Sequence, residues 1–205
     1  MPADNDISNK STKERIFYSA ARLFAERGYD NVSMRDLAKD VGIKNPSIYN
    51  HFSSKKEILS DLYRFYTEQR IRATPGIKDV MKQIETAPPH EVLMSLEHQF
   101  PPDTEAVMRQ ILVIASRLVS TDHESWQFIA ENVLIASKEL PALVLKRLVE
   151  LGKIESFDID VFYNIVMHYC FSAIALLATP SKVDDKAWKN DIAFLYSSFI
   201  KPTGK

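Results

Sequence analysis

Between Lys44 and Lys56 the chain carries Lys44, Lys55, Lys56 and the titratable His51, and no carboxylate. Within that window the run Asn45-Pro46-Ser47-Ile48-Tyr49-Asn50-His51-Phe52 sets hydroxyl, amide and imidazole groups around two apolar positions. On a short helix, Ile48 and Phe52 at i,i+4 spacing turn inward and leave Asn45, Ser47, Tyr49, Asn50 and His51 outside. Core packing does not require so many exposed hydrogen-bonding groups. Reading a major groove does: small or amide side chains near a helix N-terminus reach base edges, and hydroxyl, imidazole and ammonium groups beside them hold phosphates.

Other chemistries find less support. Cys170 and His168 are two residues apart, so on a helix they point to different sides and cannot work as nucleophile and base. His90 and His98, with Glu91 and Glu97, lack the i,i+4 histidine pair of a helical zinc site. Five glycines in the whole chain, mostly at turns, leave no place for a phosphate-binding loop. The expectation is a protein that is not an enzyme, with no catalytic residue, metal or cofactor.

Helical spacing must position the polar segment, and alternating strand patterns and tight hairpins are absent, which makes the fold class all-α. Ile16, Ala20, Leu23 and Phe24 form one apolar face, opened by the capping box Ser11-x-x-Glu14 and closed by Gly28. Met34, Leu37, Ala38 and Val41 form a second behind Ser33, with Asp36 three residues on and Gly42 at its end. Asn45 is the expected N-cap of a third helix reaching about His51, with Pro46 at its first position. Ser54-x-x-Glu57 opens a fourth, whose Ile58, Leu62, Phe65 and Tyr66 face inward until Pro75-Gly76. Two short helices joined at Val41-Gly42-Ile43-Lys44 make a helix-turn-helix, with the second as reader.

Prolines 88, 89, 101, 102, 141 and 180 cut the remainder into five or six helices, for a total of about nine to ten. Thr121-x-x-Glu124 is expected to cap a helix with Trp126, Ile129, Ala130 and Val133 on one face, and Pro141 to kink the chain or restart the helix there. The last pair, about 158–178 and 184–199, is the most apolar, with Trp188, Ile192, Leu195 and Phe199 at 4-3-4 spacing. The domains are expected at 1–54 and 55–205, with helix 55–74 connecting them.

At these positions the sequence resembles the tetracycline-repressor-like (TetR) family of bacterial transcription regulators. The resemblance covers residues 12–60, in Ile16, Ala20-Ala21, Leu23-Phe24, Glu26, Gly28-Tyr29, Ser33, Leu37-Ala38, Val41-Gly42-Ile43, Ile48-Tyr49, His51-Phe52 and Lys55. It implies a homodimer with its N-terminal helices on a double-stranded operator and a C-terminal helical domain for dimerisation and a small effector. Carried over by position, Arg35 looks like a contact to guanine, Asn45 to adenine and Pro46 to a thymine methyl. Ser47, Tyr49, His51 and Lys55 resemble phosphate contacts; Ser33, Lys44 and Asn50 complete the expected DNA-binding set. Lys44 departs from the pattern, since many relatives place Ser or Thr there as the N-cap, a role left here to Asn45.

Charge agrees with a basic head on an acidic body. The 205 residues, 45% hydrophobic and 26% charged, have 26 Lys+Arg against 27 Asp+Glu and a net charge of -1. Residues 1–72 nevertheless hold 13 basic against 10 acidic side chains, and the rest 13 against 17. The single cysteine excludes an internal disulfide framework and suits a reducing compartment. The polar stretch Met1 to Thr12 does not read as an export signal, so the expected location is cytoplasmic.

Val161–Ala178 is nearly long enough to span a bilayer. Asp160, Asn164, His168 and Ser172 recur every fourth residue in and beside it, which favours a buried helix of a protein with no membrane contact. The last two helices are the expected dimer interface, four helices from two protomers. The polar stripe has two readings, as solvent-exposed or dimer-bridging groups, or as part of an effector cavity. In the second, Asn164 and His168 would face apolar walls from Met81, Met94, Met108, Trp126 and Phe128. The rival to a transcriptional repressor released by its effector is a helical ligand-binding or protein-interaction module that keeps the helix-turn-helix only as structure.

Overall fold

Serine side chains open the first helices. In the computed structural model of the chain, which describes residues 10–96, 100–177 and 185–203, α1 spans Thr12–Arg27 behind Ser11. The Ser11 hydroxyl accepts the Glu14 N–H, and the Glu14 carboxylate accepts the Ser11 N–H at 2.8 Å. α2, Met34–Asp40, repeats the device with Ser33 and Asp36. These boxes satisfy N–H groups that a helix start leaves unpaired, and each serine contributes about 1 kcal/mol. α3 is one turn, Asn45–Ile48, and α4 runs Lys55–Ala73 behind Ser54. Here the cap is split, because the Glu57 carboxylate passes Ser54 and accepts the N–H and hydroxyl of Ser53 at 2.6 and 2.7 Å.

The body continues as α5 (Ile77–Thr86), α6 (Pro89–Met94), α7 (Pro102–Leu118), α8 (His123–Ile129), α9 (Ala136–Glu150), α10 (Ile159–Leu177) and α11 (Asp185–Phe199). A π-helical stretch, Ala130–Ile135, fuses α8 to α9. The eleven helices of the described residues therefore form ten continuous rods. No strand occurs among those residues; one isolated antiparallel bridge pairs Ile154 with Pro202.

Three expectations about the fused rod are corrected. Its N-cap is Asp122, not Thr121, and the Asp122 carboxylate accepts the Ser125 N–H at 2.8 Å. Pro141 lies inside α9. A proline removes one helical bond and crowds the carbonyl four residues earlier; the helix nevertheless continues through the ring to Glu150. The expected shared face also fails at Trp126, which is 44% exposed while Ile129 is buried.

Two apolar clusters hold the molecule. The first joins the helix-turn-helix to the body: Ile16, Leu23, Phe24, Leu37, Ile48, Phe52, Ile58 and Leu62 pack with Ile111 and Ile114 of α7 and Phe128 of α8. Each such side chain contributes about 1.5–3 kcal/mol on burial. The second cluster lies in the body, with Val80, Ile84, Val144, Leu148, Phe162 and Tyr163 at its centre. Among the described residues no helix is long and apolar enough to cross a membrane.

Candidate nucleic-acid interface

The turn that aims α3 is held from three sides. Gly42 adopts φ 73; its N–H bonds to the Lys39 carbonyl at 3.2 Å, and the next N–H, of Ile43, reaches back to Ala38 at 2.9 Å. This pair of bonds closes α2 in a left-handed cap that suits glycine. The Arg15 guanidinium of α1 donates to the Val41 carbonyl. From below, Ile48 and Phe52 are fully buried. Past Ile48 the chain continues in looser turns, with the Asn50 N–H on Ser47 at 3.3 Å and the His51 N–H on Ile48 at 3.0 Å.

Lys44, Asn45, Pro46, Tyr49 and Asn50 are exposed, and Ser47 and His51 are half-buried. The N-cap is Lys44, which corrects the expectation for Asn45: Asn45 is the first helical residue and Pro46 the second. The physical reason is the Ser47 N–H, the donor that an Asn45 cap would take, which bonds instead to the Lys44 carbonyl at 2.8 Å. The Asn45 amide is thus not used as a cap.

Carboxylates near the reading face are engaged by neighbouring donors. Asp36 accepts the Ser33 hydroxyl at 2.5 Å and the Ser33 N–H at 2.9 Å, bonds that hold its pKa below the ordinary aspartate value. Asp40 accepts the Ser19 hydroxyl at 2.6 Å and two bonds from the Arg22 guanidinium at 2.6 and 2.7 Å. Burial pulls the Asp40 carboxyl upward, but these bonds outweigh it and keep its pKa low. Arg35 is exposed and enters no ion pair among the described residues. Lys55 is placed otherwise: its ammonium donates to the Tyr29 carbonyl at 2.7 Å and lies 4.1 Å from the centre of the Tyr29 ring.

The expected cavity residues do not converge. Met108 and Phe128 are buried in the first cluster, and Met81 packs against the second. Met94, at 64% exposure, and Trp126 lie at the surface, as do Asn164 and His168, whose Nδ1 contacts the Asn164 carbonyl oxygen within α10. Asp160 and Ser172, the rest of the stripe, are also exposed. Burial raises the pKa of the Cys170 thiol, which disfavours its nucleophilic form. Among the described residues no cluster of His, Cys, Asp and Glu gathers as a metal site; Glu97, His98 and the side chains of Trp188 and Ile192 lie outside them.

A feature the sequence did not disclose is how α4 grips the body. Ser60 donates to Glu124 at 2.6 Å, Tyr63 meets Ser125 at 2.7 Å and Arg70 Nε donates to Asn132 Oδ1 at 3.2 Å. Since Ser125 gives its own proton to Asp122 at 2.6 Å, the Tyr63 hydroxyl is the donor to Ser125. The Tyr63 ring stacks on Phe128 at 4.3 Å, and Tyr66 meets it edge-on at 5.0 Å. A signal existed in the steps of three and seven along one side of α4, but their partners come 60 or more residues later.

A two-turn helix, a glycine turn and a short exposed helix seated on an all-α body define a helix-turn-helix protein. Residues 16–62 match the family of bacterial regulatory proteins, tetR family. The chain is similar to the IcaR negative transcriptional regulator of the biofilm operon icaADBC of Staphylococcus aureus (strain Newman). They share 50% identity over 46 residues, 22% of this chain and 25% of that one. It is 34% identical to the transcriptional repressor KstR2 of Rhodococcus jostii (strain RHA1) over 67 residues, 33% of each chain. These matches span a quarter to a third of the curated relatives' length. In overall fold it is similar to the solved ketosteroid transcriptional regulator KstR2 of Mycobacterium tuberculosis. That likeness has a TM-score of 0.62 at 24% identity and covers 94% of this chain and 96% of that one.

Proposed function

We propose that the protein is a homodimeric cytoplasmic transcriptional repressor that holds an operator with residues 1–54 and is released by a small effector acting on residues 55–205. The observation that carries this is the exposed edge of α3, rigidly seated and free of carboxylates, beside an exposed Arg35 whose acidic neighbours are bonded elsewhere. Arg35 and Asn45 read base edges, Pro46 meets a thymine methyl, and Ser47, Tyr49 and His51 hold phosphates, with Ser33, Lys44 and Asn50 flanking them. Lys55 joins the phosphate contacts through the ammonium N–H groups left over from its one bond to the Tyr29 carbonyl.

Two reading helices must enter successive major grooves about 34 Å apart, which calls for a two-fold dimer. α10 presents Val161, Ile165, Phe171 and Leu176 to solvent, and Phe194 of α11 is 69% exposed. Apolar side chains gathered on the last two helices suit the interface. Repression rather than activation is the reading supported by IcaR and KstR2, whose names describe a negative regulator and a repressor. Effector release follows as coupling free energy: a ligand that prefers wrongly spaced reading heads weakens DNA binding, and DNA reciprocally weakens the ligand.

The test is binding of the full-length chain to a duplex from its own upstream region across a salt series. If each dimer neutralises about 8 phosphates, the logarithm of affinity falls against that of salt with a slope near about -7. No binding at low salt would refute the proposal and favour the ligand-binding or interaction module.

A further inference from the structure

The two apolar clusters meet without merging. α10 lies beside α7, yet Val107, Met108, Ile111 and Ile114 of α7 belong to the head-side cluster, whereas Phe162, Tyr163 and Val166 of α10 belong to the other. Within the second cluster Tyr163 is 1% exposed, and among the described residues its hydroxyl has no hydrogen-bond partner. A buried hydroxyl that has given up water ordinarily finds a replacement, so an orphan marks a place where something polar belongs. Tyr163 is also the largest of the fully buried side chains. Its unmet group is therefore deep in the body, away from the reading face.

The chemistry of the missing partner can be narrowed. Burial, with Tyr196 of α11 adding to it, pushes the pKa of the Tyr163 hydroxyl far above the ordinary tyrosine value. The group therefore stays protonated and donates, and its partner must accept, as a carbonyl, ether or hydroxyl oxygen does. The buried polar side chains among the described residues are Ser19, Ser116, Ser125 and Asn132, none of them charged. A charged guest would find no buried counter-ion, which selects a neutral one. The surroundings are Ile154, Phe162, Val166 and their neighbours, and they suit an apolar body.

We propose that the Tyr163 hydroxyl is the polar anchor for a neutral, mainly apolar small molecule that enters the second cluster beside α10 and offers it one oxygen acceptor. The inference rests on the effector-responsive reading above and supplies the ligand class it lacks. It also differs from the cavity expected from the sequence, since Asn164 and His168 of the same helix face outward.

The probe is the neutral fluorescent ketone Prodan, whose emission shifts to the blue in apolar surroundings and back to the red when its carbonyl accepts a hydrogen bond. Full-length protein should bind it saturably, one per chain. Tyr163→Phe, checked for unchanged helicity by circular dichroism, should bind about fivefold more weakly, the effect of one neutral hydrogen bond. Its bound emission should lie further to the blue than in the parent, a spectral change that loose packing alone would not produce. A ligand-side control needs no variant: the Prodan analogue with a methylene in place of the carbonyl should bind the parent protein about fivefold more weakly than Prodan. No saturable binding to the parent, or equal affinity and emission in Tyr163→Phe, would overturn the proposal. Operator binding is measured separately without probe, so its failure would count against the repressor reading and leave the Prodan result standing.

Discussion

Replacing Gly42 by alanine isolates one energetic quantity. Gly42 sits at φ +73, and a methyl built there meets no heavy atom within 4 Å. Steric repulsion therefore contributes nothing, and the effect is the left-handed backbone alone, which costs an L-residue about 1–2 kcal/mol. Alanine also stiffens the unfolded chain and offsets up to about 1 kcal/mol of that. The net loss of about 1 kcal/mol lowers the melting temperature by about 2–4 °C in a chain of this size. Gly152 offers a matched control: it has φ +64 and equally open space, and it ends α9 with the same pair of bonds, from Gly152 N–H to Val149 and Lys153 N–H to Leu148, each 2.9 Å.

Both variants should melt alike when followed by circular dichroism. Operator affinity, read by fluorescence anisotropy well below the transition, should differ between them by no more than about twofold, because the Ile43 bond, the Arg15 contact and the burial of Ile48 and Phe52 hold α3 in place. A Gly42→Ala protein that melts like the parent but loses operator affinity would show that the turn relaxes and re-aims α3, against this reasoning. A drop beyond about 10 °C would equally refute it, by requiring a clash the open space excludes.

Other perturbations test the remaining contacts. Asp40 has a folded pKa below its unfolded one, so its contribution is complete at neutral pH and is lost as pH falls through the acid range. Asp40→Asn should accordingly melt lower than the parent at neutral pH, and the gap should narrow as pH falls below the ordinary aspartate range in pH-resolved melts. Arg35→Ala should cost about 1–3 kcal/mol on the preferred operator and relax preference at one base pair, whereas Tyr49→Phe should weaken all sequences alike, as read by competition binding. Phe171→Glu or Phe194→Glu should shift sedimentation toward the monomer and weaken operator binding at least about tenfold, since like charges would face each other across a two-fold axis. Phe128→Ala removes the ring under Tyr63 and Tyr66 and should cost about 3–5 kcal/mol in denaturant unfolding.

Much of the reading head was legible because its signals are local. Ser11 with Glu14 and Ser33 with Asp36 act over three residues, and Gly42 acts on its own φ, so α1, α2 and the turn follow from neighbours in the chain. Local reading went wrong where two local solutions compete: Lys44 or Asn45 as the cap of α3, and Thr121 or Asp122 as the cap of α8. In both places the choice depends on which carbonyl or carboxylate captures one N–H, a matter of a single residue of register. The cavity residues failed for a different reason, since methionine and tryptophan are apolar on a core face and on a surface alike.

The amino-acid order determined that the chain is helical, where its first helices begin and end, and that a short polar edge is displayed between two buried apolar side chains. These features arise from hydrogen bonds and periodicity spanning one or two turns. Only the tertiary structure decided that Lys55 folds back onto Tyr29, that α4 is bonded to α8 and the π stretch through Ser60, Tyr63 and Arg70, and that the Tyr163 hydroxyl is buried without a hydrogen-bond partner among the described residues. Each of these depends on which distant groups arrive at one place, and closing those long loops is a global compromise of packing that no short window of residues contains.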